Sequence, residues 1–239
     1  MEYNQTKTIS MPKATTRFYV VATPIGNMED ITYRAVRILG EVDLILCEDT
    51  RVTRNLLERY QIKTATMSYH AQSKISKADK IIELLNEGKN LALVSDAGTP
   101  TISDPGSLLI SQIKVACPEV EIFAIPGPSA IISALSISGL SVAEFTFLGF
   151  LPHKKGRETL FKEIAASDRV MSFYESPHRI MKTFESLKKF APDKKVTVAR
   201  ELTKIFEQIV SGSPEEVEKY FIENSDKVRG EFVVIVSAL

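Results

Sequence analysis

The sequence predicts an α/β protein of two lobes, the first built on a mostly parallel sheet and the second an α+β lobe with a mixed sheet. Apolar runs alternate with amphipathic segments as far as Leu140, a pattern typical of a parallel sheet covered by helices on both faces. This alternation breaks after Ser141, where the strands predicted at 195–199 and 207–210 follow each other without a long helix and should pair antiparallel. With 239 residues, 44% of them hydrophobic, the chain can bury one large core or two smaller ones.

These patterns divide the chain into three parts. Residues 1–16 are polar and lack the apolar stretch of a secretory signal, so we expect a disordered lead-in. Residues 17–140 form the predicted N-terminal lobe and residues 141–239 the predicted C-terminal lobe. We expect a cleft between the two lobes.

Each predicted element depends on a local pattern of apolar residues and turn residues. Runs rich in β-branched and aromatic residues predict ten strands, at 17–23, 42–47, 64–69, 90–94, 121–125, 145–148, 170–174, 195–199, 207–210 and 230–236. Apolar residues three and four positions apart predict the intervening helices, one of which should follow Ser129 and continue through Leu140. Pro214 stands where proline is favoured, in the first turn of a last helix.

The stretch Leu93–Gly106 interrupts this regular alternation. It leaves a buried strand and continues through Asp96, Gly98 and Pro100, residues that favour turns. Most strand-to-helix connections have about 2–6 residues, and this one is roughly twice as long. Because open α/β sheets bind their ligands beyond the carboxyl ends of their strands, we predict a ligand-binding loop here.

Composition argues against several classes of protein. Thirty basic residues balance thirty acidic ones, and no apolar run approaches the roughly 18 residues of a membrane span. Cys47 and Cys117 lack ligand-like spacing and the three histidines are scattered, so we expect no metal and a reducing, cytoplasmic location. Residues 151–200 nevertheless carry twelve basic side chains against six acidic ones. This surplus indicates either contact with a polyanion or a solvated lysine-rich face.

The standard nucleotide-binding motifs are missing from the sequence. There is no G-x-G-x-x-G after the first strand, no G-x-x-x-x-G-K-[ST], and no G-x-S-x-G element of a serine hydrolase. Three predicted strands instead run into separate loops that contain proline and glycine. This arrangement favours a cofactor without a polyphosphate, held by several loops at once.

Eight sequence motifs, taken together, resemble those of one known protein family. They are ATPIGNMEDIT (22–32), CEDTRVTRNLL (47–57), VSDAGTPTISDPG (94–106), IPGPSA (125–130), FLGFLP (147–152), YESPHR (174–179), ARELTK (199–204) and GEFVVIV (230–236). In this order they resemble the ribosomal RNA small-subunit methyltransferase I family, which methylates a cytidine ribose 2′-oxygen in 16S ribosomal RNA. The resemblance implies a two-lobed, dimeric tetrapyrrole-methylase fold that binds S-adenosylmethionine between its lobes.

The resemblance also implies which residues hold the cofactor. Their backbone groups should do most of the binding, and in this sequence they are Pro24, Ile25, Asp96, Gly98, Thr99, Pro100, Ile102, Ser103, Gly127, Ser129, Ala130, Tyr174, Leu202 and Gly230. Each of those in the second lobe could equally be part of the core.

Catalysis requires an in-line approach of the ribose oxygen to the methyl group and a group that removes the hydroxyl proton. Carboxylates at predicted strand ends could serve as the base, and nearby arginines could hold phosphates. These candidates are Glu48, Asp49, Glu175 and Glu201 with Arg51, Arg179 and Arg200. All of them could instead form ion pairs with one another.

Ribosomal RNA, or the assembled small subunit, is the implied partner. Lys154, Lys155 and Arg157 form a short basic segment that we predict to contact RNA phosphate. Many family members carry a small helical domain after the closing strand, and because this sequence ends at Leu239 we expect its RNA contacts to be absent or replaced. Two other functions fit the same fold: a precorrin-type tetrapyrrole C-methyltransferase, or a non-catalytic RNA-binding assembly factor.

Overall fold

The computed structural model describes residues 15–70, 75–103 and 106–238. The predicted disordered lead-in therefore lies outside the described residues, apart from Thr15 and Thr16, and so do Asp104 and Pro105 of the long loop. Within the described ranges, the contacts cluster into two units. Of the described residues, the first comprises 15–21, 34–70, 75–96 and 106–125, and the second comprises 22–33, 97–103 and 126–238.

The first unit is built on a parallel five-stranded sheet. Its strands are β1 (Arg17–Val21), β2 (Leu44–Cys47), β3 (Thr66–Ser68), β4 (Leu91–Leu93) and β5 (Glu121–Ile125). They lie in the order β3-β2-β4-β1-β5, and every neighbouring pair is parallel. The parallel N-terminal sheet predicted from the sequence is confirmed.

Four helices follow the strands of this sheet. They are α1 (Tyr33–Glu41), α2 (Thr50–Arg59), α3 (Ile75–Asn86) and α4 (Ser107–Ala116). Buried apolar side chains of α3 and α4 form one core with those of the strands, and it includes Phe18, Leu46, Ile81, Leu85, Leu91, Leu109 and Ile113. Strands buried on both faces explain why β2 and β4 are almost wholly apolar in sequence.

The second unit is built on a mixed five-stranded sheet. Its strands are β6 (Phe145–Phe150), β7 (Val170–Glu175), β8 (Val196–Arg200), β9 (Gln208–Gly212) and β10 (Phe232–Val236), in the order β6-β7-β10-β8-β9. Only β6 and β7 pair parallel, and the other neighbours, including β8 and β9, pair antiparallel. The mixed sheet and the antiparallel pairing predicted from the sequence are both confirmed.

The helices of this unit are α5 (Ala130–Ser136), α6 (Arg157–Ala166), α7 (Ile180–Phe190) and α8 (Pro214–Glu223). Helix α8 begins as predicted, because the Ser213 side chain accepts from the Glu216 N–H while the Glu216 side chain accepts from the Ser213 N–H. Helix α5 ends at Ser136, four residues before the predicted end at Leu140.

The two units divide the chain at other points than the boundary predicted near Leu140. Helix α5 shares a buried apolar cluster with Val233 and Ile235 of β10, and the same cluster includes Ile25 from the loop after β1. The predicted boundary stays a prediction about which parts of the chain fold independently.

Candidate functional site

Two loops of the second unit are joined through their backbones. The Thr23 N–H donates to the Gly98 carbonyl over 2.9 Å, and the Gly98 N–H donates to the Thr23 carbonyl over 3.0 Å. This antiparallel bridge fixes the loop after β1 (residues 22–27, the first loop) to the loop after β4 (residues 97–103, the Gly-Pro loop). Backbone pairing of this kind sets the position of both loops without using a side chain.

Gly98 lies where a third loop arrives. Its φ of +79° is in the left-handed region, and a Cβ there would lie 3.3 Å from Ile25 Cγ2 and 3.7 Å from the Pro128 carbonyl oxygen. The Thr99 hydroxyl also donates to the Pro128 carbonyl over 3.1 Å. The first loop, the Gly-Pro loop and the loop after β5 (residues 126–129, the Pro-Gly loop) therefore meet at a residue with no side chain.

Gly127 brings the Pro-Gly loop against Ala22, the first residue of the first loop. A Cβ at this position would stand 3.0 Å from the Ala22 Cβ and 3.5 Å from the Ala22 carbonyl oxygen. The first of these distances is tighter than ordinary van der Waals contact, so a side chain at Gly127 would require Ala22 to shift by a few tenths of an ångström. Steric contacts thus explain why glycine occupies positions 98 and 127 in two of the predicted cofactor motifs.

Backbone strain is concentrated in the same loops. Among the described residues, five that are not glycine have positive φ, and four of them lie in two segments of the second unit. Thr101 and Ser103 belong to the Gly-Pro loop, and Glu201 and Thr203 belong to the loop after β8. Left-handed non-glycine residues cost of order 1–3 kcal/mol each and cluster at functional sites, which favours a binding role for both loops.

Three predicted cofactor residues have side chains committed elsewhere. Ile25 and Leu202 are buried in the apolar cluster that includes helix α5. Tyr174 packs at the edge of this cluster, with its ring centroid 4.9 Å from that of Phe147 and 5.5 Å from that of Phe150. Any contact that Ile25 or Leu202 makes with a cofactor is therefore expected to come from the backbone.

The loop after β8 is held by an ion-paired lysine. Lys204 Nζ lies 2.9 Å from both Glu201 Oε1 and Glu231 Oε2, and the Glu231 N–H donates to the same Glu201 oxygen over 2.9 Å. A Cβ at Gly230, with φ +87°, would come within 2.4 Å of the Glu201 carboxyl carbon. Partial burial opposes ionisation, but the Glu231 N–H and Lys204 together hold the pKa of Glu201 below its usual value. Glu201 is thus a structural anion of this loop.

The same loop contacts the first loop of the second unit. The Asn27 N–H donates to the Thr203 hydroxyl over 3.1 Å, and a Cβ at Gly26 would lie 2.4 Å from Lys204 Cγ. Lys204 was missed as a site residue, although it ends the ARELTK motif. The sequence does contain a sign of this role, because Lys204 follows Glu201 by three residues and can form an ion pair with that carboxylate.

In the first unit, acidic side chains gather at the carboxyl ends of neighbouring strands β2 and β4. The Asp49 N–H donates to Asp96 Oδ1 over 3.0 Å, and the Asp49 side chain caps helix α2 by accepting from the Arg51 N–H. Arg51 Nη2 also lies 2.6 Å from Asp49 Oδ2. Hydrogen bonds from the Arg51 side chain and backbone lower the pKa of Asp49 to about 2, so Asp49 stays ionised.

Glu48 has the opposite environment. Partial burial raises the pKa of its carboxyl group, the neighbouring Asp96 charge raises it further, and His70 offsets part of the shift. Among the described residues, Glu48 is the one carboxylate of the four predicted catalytic acids that forms no ion pair with lysine or arginine. Of the four carboxylates, Glu48 therefore has the environment that best suits a proton acceptor.

Glu175, the fourth carboxylate, is enclosed by arginines. Its side chain has no exposed surface, and it pairs with Arg179 at 2.7 Å and Arg157 at 3.4 Å. The Thr183 hydroxyl and the Ser176 N–H each donate to it as well, over 2.7 and 2.9 Å. A carboxylate this fully satisfied is suited to holding structure together.

Two of the arginines considered for phosphate binding use their guanidinium groups within the protein. Arg200 is buried and donates to the carbonyls of Arg229 and Phe206. Arg179 donates to the Leu151 carbonyl in addition to its pair with Glu175. Arg51 remains largely exposed, with 86% of its side chain accessible.

The predicted basic RNA-contacting segment divides in two. Lys154 and Lys155 are exposed, whereas Arg157 is turned inward and its side chain is only 15% exposed. Within the described ranges, no cluster of three or more His, Cys, Asp and Glu side chains could hold a metal ion. In the same ranges no helix is long and apolar enough to cross a membrane.

Comparison with known proteins identifies the fold class. A family described as Tetrapyrrole (Corrin/Porphyrin) Methylases matches residues 17–218. The crystal structure of a cobalamin-biosynthetic cobalt precorrin-4 methyltransferase superposes with a TM-score of 0.67 at 15% identity, over 96% of this chain and 98% of that one. Two sheets of this topology, with glycine-dependent loops that follow β1, β4 and β5 in the chain, therefore define a methyltransferase of the tetrapyrrole-methylase class.

Comparison with curated relatives identifies the family within this fold class. The ribosomal RNA small subunit methyltransferase I of Thermotoga maritima is 42% identical over 92% of this chain and 98% of its own length. The protein of the same name from Synechocystis is 45% identical over 92% of this chain and 78% of its own length. The chain belongs to the ribosomal RNA small subunit methyltransferase I family, and the resemblance inferred from the sequence motifs is confirmed.

Proposed function

We propose that this protein transfers a methyl group from S-adenosylmethionine to the ribose 2′-oxygen of a cytidine in 16S ribosomal RNA. The observation that carries the proposal is the meeting of three loops at Gly98, in a chain that is 42–45% identical to enzymes named for methylation of small-subunit ribosomal RNA. A tetrapyrrole substrate is less well supported, because the likeness to the precorrin enzyme is at 15% identity and extends to the fold alone.

The residues of the loops fit a sulfonium cofactor that carries no phosphate. Glycine at 98 and 127 lets the three loops approach one another closely, and Thr101 and Ser103 of the Gly-Pro loop have the left-handed backbone that clusters at functional sites. These loops and Gly230 would hold the cofactor, mainly through N–H and carbonyl groups. When bound, S-adenosylmethionine supplies an activated methyl group, so the protein's chief task is to position the ribose oxygen in line with it.

Glu48 is the proposed acceptor of the ribose hydroxyl proton. Of the four candidate carboxylates it has a raised pKa and no lysine or arginine partner among the described residues, whereas Asp49, Glu175 and Glu201 are neutralised by cations. A positioned base contributes about 10²–10⁴-fold to the rate. Arg51, which is exposed beside Asp49, would hold an RNA phosphate near the same strand end.

Glu48→Gln is expected to slow methyl transfer and to stabilise the protein at neutral pH. The raised pKa means that the folded state disfavours the carboxylate, so this unfavourable contribution is present above the folded pKa and disappears below the unfolded value of about 4.3. The melting temperature of the variant should exceed that of the parent at pH 7 and approach it near pH 4, while turnover falls about 10²-fold or more. Glu58→Gln, on the exposed side of α2, is the control. Full turnover in Glu48→Gln would exclude Glu48 as the base.

The function is tested with small ribosomal subunits from a bacterial strain that lacks this methylation. The protein is incubated with them and with labelled S-adenosylmethionine, and the labelled nucleotide is mapped. One labelled cytidine ribose is expected, in assembled subunits or in free 16S RNA, and the two substrates are compared directly. Label on a base, or transfer to a tetrapyrrole with none to RNA, would contradict the proposal.

A homodimer in the cytoplasm is also proposed, and sedimentation equilibrium measures the mass of the assembly.

A further inference from the structure

Glu175 is the centre of a buried charge network at the start of helix α7. It accepts from four groups, the guanidinium groups of Arg157 and Arg179, the Thr183 hydroxyl and the Ser176 N–H. The side chains of Glu175, Arg157 and Arg179 are each at least four-fifths buried. Two cations around one buried anion leave an excess positive charge that the surrounding carbonyl groups stabilise.

Each arginine of this network also holds the segment that leads into α6. Arg179 Nη1 donates to the Leu151 carbonyl over 2.7 Å, and Arg157 Nη1 donates to the Pro152 carbonyl over 3.2 Å. Both carbonyls belong to the start of the segment Leu151–Arg157, and Arg157 closes its end. The network therefore fastens both ends of this short segment to the first turn of α7.

Arg157 suits this role better than lysine would. Its guanidinium reaches the Pro152 carbonyl, Thr183 Oγ1 at 2.7 Å and Glu175 Oε2 at 3.4 Å. A planar fork with five donors can serve three acceptors at once, which an ammonium group at the end of a flexible chain does not reproduce. The ring of Phe161 lies beneath the same guanidinium, with its centroid 5.1 Å away.

We propose that Arg157 is a positioning residue, which with Glu175 and Arg179 holds the segment Leu151–Arg157 so that Lys154 and Lys155 face RNA phosphate. The inference rests on the proposed function, because it takes ribosomal RNA as the partner of the exposed lysines. It revises the prediction from the sequence, in which Arg157 contacts RNA itself and Glu175 and Arg179 take part in catalysis. The inward side chain of Arg157 and the exposed side chains of Lys154 and Lys155 support this division of roles.

A double-mutant cycle separates positioning from direct contact. Lys154→Ala with Lys155→Ala should weaken binding of 16S RNA about tenfold or more, and should flatten the slope of log affinity against log salt by about 1.4–1.8 for two lost phosphate contacts. Arg157→Met alone should also weaken binding and raise the KM for RNA at an unchanged kcat. Added to the two alanines, Arg157→Met should change neither affinity nor slope further.

Trypsin cleavage after Lys154 and Lys155 measures the anchoring without RNA. Cleavage should be faster in Arg157→Met and in Arg157→Lys than in the parent, because neither variant serves all three acceptors. Arg169→Met is the matched control, since Arg169 pairs with Glu144 in the same unit and is 58% exposed. Near-UV circular dichroism and the affinity for S-adenosylmethionine establish that each variant is folded.

Three results would overturn the proposal. A further loss of slope of about 0.7–0.9 when Arg157→Met is added to the alanines would make Arg157 a phosphate contact. Unchanged cleavage in Arg157→Met, or full rescue by lysine, would remove the anchoring role. Unchanged RNA affinity in the double alanine variant would remove the role of the two lysines. Methylation of subunits by the parent enzyme is measured separately, so failure of the proposed function is recognised independently.

Discussion

Gly98→Val is expected to leave the protein folded and to weaken S-adenosylmethionine binding at least about 100-fold, which corresponds to roughly 3 kcal/mol. Valine at φ +79° costs more than the about 1–2 kcal/mol of an ordinary left-handed residue, because its Cβ is branched. The new side chain would also contact Ile25 Cγ2, where even a Cβ stands at 3.3 Å. Relief of this strain requires the Gly-Pro loop to move away from the first loop. Titration calorimetry measures the cofactor affinity, and turnover should fall with it.

Gly139→Val separates strain from loop geometry. Gly139 belongs to the same unit and has a similar φ of +68°, but a Cβ there would meet no atom within 4 Å. This control should therefore lose stability through its backbone conformation and keep its cofactor affinity. Equal losses of affinity in the two variants would mean that general destabilisation, and not the arrangement at Gly98, reduces binding. Unchanged affinity in folded Gly98→Val would exclude this loop from the cofactor site.

Much of the fold could be predicted because its elements are locally consistent. The ten strands of the described residues fall within or beside the predicted ranges, because short apolar runs that are bounded by turn residues and rich in β-branched and aromatic residues favour strands. Helix α5 shows the limit of this approach. Its apolar composition continues to Leu140, but the helix ends at Ser136, where the Ser138 hydroxyl donates to the Leu135 carbonyl and accepts from the Leu140 N–H. Side-chain bonds of this kind compete with the helix and are not visible as a periodicity.

The sequence predicts which loops form the candidate site, but it does not predict the role of each charged side chain. Glycines in the first loop, the Gly-Pro loop and the Pro-Gly loop have sequence signals, because only glycine suits a close approach or a positive φ. By contrast, Lys155 and Arg157 look alike in sequence as neighbouring cations. Their difference depends on Glu175, eighteen residues further along, which is brought beside Arg157 by the pairing of β7 with its neighbours. Tertiary structure alone determines which cation is buried.

Glu175→Ala is expected to be among the most destabilising single substitutions in the second unit. Removal of one partner from a buried ion pair costs about 3–5 kcal/mol, and here two arginines would lose their anion together. For a chain of this length, such a loss lowers the melting temperature by roughly 6–20 °C. The matched control is Glu41→Ala, since Glu41 also pairs with an arginine, Arg37, but both side chains are more than half exposed. Exposed pairs of this kind contribute about 0–1 kcal/mol, so the control should unfold close to the parent temperature.

Glu175→Gln distinguishes this structural role from a catalytic one. The amide keeps the size of the carboxylate but has a single acceptor oxygen, so it can accept from either Ser176 or Thr183, and it does not neutralise Arg157 and Arg179. We expect a smaller loss of stability than in the alanine variant, and a kcat close to that of the parent at temperatures where the variant is folded. Differential scanning calorimetry and steady-state turnover on small subunits measure the two quantities. A stable Glu175→Gln protein with turnover reduced by a factor of about 100 or more would instead place Glu175 in the chemistry, in agreement with its position at the end of a predicted strand.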